Sequence, residues 1–161
     1  MRPEWRHDDS LTDMGIAARV RALRVRAGKS QADMAQGLGL NNAWYSDLET
    51  RDDELASTLT IFKAMEMTSI LGVTMHELLD EPPVTDVRIA LTELPDRIIA
   101  HAKCEGISVE QLEERVGWEF HEFLDSPVQM AAEFPIRFFQ TLASALGINR
   151  LALVPDEDEI G

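Results

Sequence analysis

Apolar residues recur every three or four positions along most of the chain, in short segments that glycines and polar residues separate. In the first segment Ile16, Val20 and Leu23 share one face of a helix predicted over residues 14–27, and Gly28 is suited to end that helix. No segment alternates apolar and polar residues with the period of two that is typical of strands. The pattern therefore predicts an all-α protein.

Four more helices are predicted before residue 81. Ser30 is a good N-cap for the second helix, which ends at Gly39, and Asn41 is a good N-cap for a third helix over residues 42–49. A polar loop over residues 50–57 leads to a fourth helix that ends near residue 70, and a short fifth helix spans residues 74–79. The inward-facing positions of the second and third helices are Met34, Ala35, Leu38, Tyr45 and Leu48.

The second half of the chain is predicted to repeat this order of helices. Gly106 follows Gly28 by 78 residues, and Gly117 follows Gly39 by the same 78 residues. The matching helices would span residues 87–104 (interrupted at Pro95), 109–116, 119–125, 136–146 and 149–153. Chance similarity between two small helical bundles is the alternative. The predicted organisation is an arm (1–13), a first domain (14–80), a linker (81–86), a second domain (87–154) and an acidic tail (155–161).

The first domain resembles a known family in its order of apolar, glycine and polar positions. The motifs are Arg19-Val20-Arg21-Ala22-Leu23-Arg24, Gly28-Lys29-Ser30-Gln31, Leu38-Gly39-Leu40, Tyr45-Ser46-Asp47-Leu48-Glu49, Leu71-Gly72-Val73 and Glu77-Leu78-Leu79. Together they resemble the Cro/repressor (XRE) family of helix-turn-helix proteins. The resemblance implies a lambda-repressor-like bundle of five helices. The weaker resemblance of residues 94–154 implies a tandem, degenerate second copy.

The resemblance also implies which residues contact DNA. Asn42, Ala43 and Asp47 fall on base-facing positions of the recognition helix, and the carboxamide of Asn42 can pair with adenine. The alternative for Asn42 is a helix-start residue without a ligand. Arg24 and Glu49 fall where this family has a structural ion pair. The full implied DNA-binding set is Lys29, Gln31, Asn41, Asn42, Ala43, Trp44, Ser46 and Asp47.

The charge of the chain argues against a strong general affinity for DNA. The net charge is −14, with −2 in residues 1–13, −2 in residues 14–80 and −10 in residues 81–161. Four arginines of the first predicted helix favour a local basic patch: Arg19, Arg21, Arg24 and Arg26. After the third helix, where phosphate contacts are expected, the sequence Thr50-Arg51-Asp52-Asp53-Glu54 is acidic instead.

The acidic second domain has three interpretations. It could join two copies of the chain as a homodimer, it could bind a basic protein partner, or its carboxylates could form a solvated surface. The glutamates that would steer a basic partner are Glu110, Glu113, Glu114, Glu119 and Glu122. The candidate interface residues are Trp118, Glu119, Phe120 and Glu122.

Other functional classes find little support. The four histidines have no histidine partner at helical spacing, the single Cys104 cannot build a zinc site, and no phosphate-binding glycine loop is present. We therefore predict a non-enzymatic cytoplasmic protein without metal, cofactor or membrane segment. The predicted function is sequence-specific binding of operator DNA by a transcriptional regulator, either a repressor or an autoregulating antitoxin. The alternative is an acidic immunity-like or antitoxin-like module that binds protein and no longer binds DNA.

Overall fold

A computed structural model describes residues 15–81 and 89–153. These residues form ten α-helices and two short 3-10 turns, without strands in the described ranges, so the predicted all-α class is confirmed. The chain divides into two compact units, Met1–Pro83 and Val84–Gly161. None of the described helices combines the length and the apolar character needed to cross a bilayer. The predicted arm, the predicted tail and the linker beyond Glu81 lie outside the described residues.

The first unit contains six helices. Ser30 and Asp33 form a reciprocal capping box that starts the second helix, and Gly39 ends it in the left-handed conformation with φ of 68°. The Asn41 side chain accepts a hydrogen bond from the backbone N–H of Trp44 and so starts the third helix. The helices are α1 (Ile16–Arg26), α2 (Gln31–Leu38), α3 (Asn42–Leu48), α4 (Glu54–Thr58), α5 (Ile61–Leu71) and α6 (Met75–Leu79).

The core of the first unit lies where the helical periodicity places it. Val20 and Leu23 of α1 are buried, and Ile16 is half-buried at the start of the helix. The predicted inward-facing residues of α2 and α3 are all buried: Met34, Ala35, Leu38, Tyr45 and Leu48. The second helix packs against both α3 and α5, so the core of the unit lies beneath the helix-turn-helix.

One prediction for the first unit is wrong. Residues 50–57 were expected to form a loop, but α4 spans Glu54–Thr58 within and beyond that stretch. Leu55 and Leu59 are fully buried at this point, so the segment gains apolar contacts by folding back on the bundle. The segment between the third predicted helix and Leu71 therefore contains a short helix in addition to α5.

The second unit departs further from the predicted repeat. Pro95 lies in the first turn of α7 and starts that helix, since a helix start needs no N–H from that residue. Residues 119–125 form only a 3-10 turn, and residues 150–153 form turns where a fifth helix was expected. The elements are a 3-10 turn (Leu91–Glu93), α7 (Leu94–Glu105), α8 (Val109–Val116), a 3-10 turn (His121–Phe123), α9 (Pro127–Glu133) and α10 (Ile136–Ala145).

The missing third helix of the second unit has a local cause. Pro127 disfavours helical backbone at Ser126, and Ser126 has φ of −139°. At the other end, the backbone N–H groups of Phe120 and His121 both donate to the carboxylate of Glu113. The segment between Glu113 and Pro127 is therefore fixed as a compact turn.

Candidate nucleic-acid interface

The turn between α2 and α3 presents the first residues of α3 to solvent. Asn41 caps α3 with a 2.7 Å hydrogen bond from the Trp44 N–H to its side-chain oxygen, and Asn41, Asn42 and Ala43 are all exposed. Their position matches the way a recognition helix approaches base edges, which is with its N-terminal residues. The Asn41 oxygen is engaged in this cap, whereas the carboxamide of Asn42, which is also exposed, takes no part in it.

A network of polar side chains connects α1, α2 and α3 beneath this turn. Arg24 Nε lies 2.6 Å from Glu49 Oε2, and Arg24 Nη2 lies 3.1 Å from Glu49 Oε1. Gln31 Nε2 donates to the same Oε1 at 3.0 Å. The geometry between Arg24 and Glu49 is bidentate, which is the strongest arrangement for a guanidinium and a carboxylate. Gln31 is thus oriented by the ion pair while its residue stays exposed.

The charges of this network are fixed over the ordinary pH range. Burial would raise the pKa of Glu49, but the hydrogen bonds from Arg24 and Gln31 outweigh burial and lower it. The hydrogen bond to Glu49 raises the pKa of Arg24. Burial raises the pKa of Tyr45, which stays neutral beneath the pair. The ion pair therefore stays charged, and it connects α1, α2 and α3.

The remaining predicted contacts on α3 point partly into the protein. The indole N–H of Trp44 donates to Thr58 Oγ1 of α4 at 3.2 Å, so this half-buried side chain packs on the short inserted helix. Ser46 and Asp47 are also half-buried, and the Ser46 carbonyl accepts from Thr50 Oγ1 at 3.1 Å. Lys29 is exposed, and its carbonyl accepts from Arg24 Nη1 at 2.8 Å. The exposed part of the predicted set is therefore Lys29, Gln31, Asn41, Asn42 and Ala43.

The basic patch predicted for α1 is smaller than four arginines. Arg19 is only 2% exposed, its Nε donates to the Glu77 carbonyl, and its Nη1 lies 3.4 Å from Asp80 Oδ1. Arg24 is engaged with Glu49 as described above. Only Arg21 and Arg26 of the four are exposed. Position 19 lies on the same helix face as Leu23, a signal that would have indicated its burial.

The acidic sequence after α3 is turned partly toward the protein. Asp52 Oδ1 accepts a 3.1 Å hydrogen bond from the backbone N–H of Ala17, at the positive end of α1. A Cβ at Gly15 would collide with this carboxylate, so the cap has this geometry only with glycine there. Sequence reasoning missed this cap because 35 residues separate its partners. One of the three acidic residues in this stretch therefore stabilises the fold.

The candidate protein interface of the second unit is partly buried. Phe120 is fully buried against Phe138, with ring centroids 5.7 Å apart, and cannot anchor a partner. Trp118 is half-buried and meets Phe138 edge to face at 5.8 Å. Glu119 and Glu122 are exposed.

The glutamates proposed to steer a basic partner include a buried one. Glu113 is 6% exposed and binds the backbone of the turn, so it belongs to the interior. Its pKa is held below the ordinary value, since the hydrogen bonds from His121 and Phe120 outweigh burial. The other four, Glu110, Glu114, Glu119 and Glu122, are exposed.

The arrangement of α2, the turn and α3 defines the first unit as a helix-turn-helix domain of the Cro/repressor type, the fold of DNA-binding regulators in general. Comparison with known families agrees, because residues 16–61 match the family described as "Helix-turn-helix domain". The matched range covers α1 to α4 and the first residue of α5. The chain has no significant match among the curated proteins or the solved structures with which it was compared.

Proposed function

We propose that this protein is a sequence-specific transcriptional regulator that binds operator DNA through α2 and α3, as a repressor or an autoregulating antitoxin. The observation that carries the proposal is the exposed start of α3, where Asn42 and Ala43 stand on a helix held by the buried Glu49 network. A carboxamide at such a position can make two hydrogen bonds with adenine, and a methyl group can contact thymine. Lys29 and Arg21 are the exposed cations best placed to contact the flanking phosphates.

The test is fluorescence anisotropy with labelled duplex DNA from upstream of the gene and a scrambled duplex of the same composition. We expect tighter binding of the upstream duplex, and Asn42→Ala should weaken it by about 10-fold to 100-fold, the value of one base-reading carboxamide. Ser69→Ala is a matched control, because Ser69 is an exposed polar residue on α5 of the same unit. Equal binding of both duplexes, or an unchanged affinity of Asn42→Ala, would contradict the proposal.

A specific observation favours a second candidate, a protein-binding module without DNA affinity. Two of the four arginines on α1 are engaged internally, and the net charge of the chain is −14. A basic protein would be attracted by this charge, with association slowed by salt. If neither duplex binds at about 20 mM salt, where phosphate contacts are strongest, DNA is not the ligand and this candidate replaces the first.

We further propose that residues 87–154 are a degenerate copy of residues 14–80 that joins two chains in a homodimer. The support is the shared spacing of capping boxes and left-handed glycines: Ser30 and Gly39 in the first unit, Ser108 and Gly117 in the second. A dimer of this class places its recognition helices on half-sites about 34 Å apart. Sedimentation equilibrium tests the dimer, and footprints on both half-sites of one operator would support the spacing.

A further inference from the structure

A partly open cavity of about 250 Å³ lies in the second unit, beside α7 and the segment that follows α10. Its walls combine apolar and polar chemistry. Ile89, Ala100, Leu146 and Ile148 supply the apolar part, whereas Arg97, His101 and Cys104 of α7 supply the polar part. No described residue lining the cavity is acidic. The lining therefore has a positive charge next to an apolar wall.

If the two units are copies, as proposed above, Arg19 of the first corresponds to Arg97 of the second, and the two arginines have different surroundings. Arg19 and Arg97 each precede by nine residues the positive-φ glycine after their helix, Gly28 and Gly106. In the first unit, the guanidinium of Arg19 is buried against α6, where it binds the Glu77 carbonyl and pairs with Asp80. The first unit thus pairs this guanidinium with a carboxylate at the end of its own last helix.

In the described part of the second unit, residues 89–153, no helix follows α10. Residues 150–153 form turns, Arg97 is exposed at the cavity, and within the described ranges no carboxylate forms an ion pair with it. At the position of the buried Leu23, the second unit has the half-buried His101. Arg97 and His101 therefore line a cavity, whereas Arg19 and Leu23 of the first unit are buried.

We propose that this cavity binds a small organic carboxylate with a short aliphatic chain. The carboxylate would take the place at Arg97 that Asp80 takes at Arg19, and the chain would lie on Leu146 and Ile148. The volume suits a ligand of about ten non-hydrogen atoms, below the usual size of drug-like ligands. The proposal does not depend on DNA binding by the first unit.

The chain carries its own reporter of occupancy. Cys104 is the single cysteine of the sequence, is exposed, and lines the cavity. A ligand on Leu146 and Arg97 would shield its thiol from a neutral alkylating reagent. The rate of alkylation by iodoacetamide, followed by intact-protein mass spectrometry, thus measures occupancy without a labelled ligand.

The experiment compares hexanoate with 1-hexanol, which has the same chain length but no charge. With a dissociation constant of about 1 mM, in the range expected for a ligand of this size, about 5 mM hexanoate should slow alkylation roughly sixfold. 1-Hexanol should slow it less. Because a variant can change the intrinsic rate of the thiol, the ratio of rates with and without hexanoate is compared for each protein.

Two variants distinguish binding of hexanoate in the cavity from its general effects on the protein. Arg97→Ala should lose the protection, while Arg137→Ala, which removes an exposed arginine of α10 outside the cavity, should keep it. Circular dichroism confirms that both variants are folded. No protection by hexanoate at about 20 mM, which is far above the expected constant, overturns the proposal. Equal protection in Arg97→Ala, or a thiol that reacts only after residues 155–161 are removed, also overturns it, the latter because the chain itself would fill the cavity.

Discussion

At the scale of single residues, Glu49 serves both the fold and the proposed DNA contact. Its carboxylate binds Arg24 of α1 and Gln31 of α2, and it lies at the end of α3. A polar group that is this deeply buried must be paired, because an unpaired buried charge costs several kcal/mol. The orientation of the Gln31 side chain therefore depends on the ion pair between Arg24 and Glu49.

Removing one partner of this pair should destabilise the first unit. Arg24→Ala leaves the buried carboxylate of Glu49 without its bidentate partner, and we expect a loss of about 3 kcal/mol in the free energy of unfolding. The double variant Arg24→Met with Glu49→Leu should cost clearly less than the sum of the two single changes. Urea denaturation measures both. Arg21→Ala is the control on the same helix, expected within about 0.5 kcal/mol of the parent.

A second residue-scale prediction concerns pH. His121 Nδ1 lies 3.0 Å from Glu113 Oε2, and the hydrogen bond and charge of Glu113 raise the pKa of His121. A raised folded-state pKa contributes stability that is fully present below the ordinary value of 6.5 and is lost as the pH rises through the folded-state pKa. The exposed position of His121 makes the effect small. Thermal unfolding at closely spaced pH values, with His121→Gln as comparison, should show this loss only in the parent.

At the scale of elements, capping residues set the helix starts in both units. Ser30 with Asp33 and Ser108 with Gln111 form capping boxes at the starts of α2 and α8. Both starts agree with the sequence, since such caps depend only on residues three apart. By contrast, residues 119–125 have helical periodicity and yet form a 3-10 turn, because Glu113 and Pro127 fix their ends. Local signals predicted the Ser30 cap and the bounds of α8, and a contact over seven residues overrode the periodicity of residues 119–125.

The cap of α8 provides a test at this scale. Ser108→Ala removes the side-chain oxygen that accepts the Gln111 N–H at 3.1 Å, which should cost about 1 kcal/mol. Amide exchange in α8 should then become about fivefold faster if it proceeds through opening of this unit. Ser144→Ala removes an exposed serine from α10 and should leave these rates unchanged. Unchanged exchange in Ser108→Ala would mean that the cap does not limit the stability of α8.

At the scale of the whole molecule, the charge of −14 decides how DNA could be bound. General attraction to phosphate is weak, so affinity must come from a few local cations and from base contacts. In the described first unit, Arg21, Arg26 and Lys29 are exposed near α1 and α2, whereas Arg19 is buried. We therefore expect a shallow dependence of affinity on salt, compared with basic regulators.

Salt titrations distinguish contacts to phosphates from contacts to bases. Lys29→Ala should lower the slope of log affinity against log salt by about one, the value of one lost phosphate contact, on specific and scrambled DNA alike. Asn42→Ala should leave the slope unchanged and weaken only the specific complex. An unchanged slope for Lys29→Ala would remove this residue from the interface.

The sequence by itself determined the all-α class, the bounds of α2, α3 and α8, and the helix-turn-helix domain of the first unit. These features follow from helical periodicity, caps and glycines, which act over a few residues. Only the tertiary structure decided that Arg19 binds the Glu77 carbonyl and pairs with Asp80, that Asp52 caps α1 and that Phe120 belongs to the core. Each depends on a partner distant in sequence or on competition among apolar residues for a limited interior, which no local pattern records.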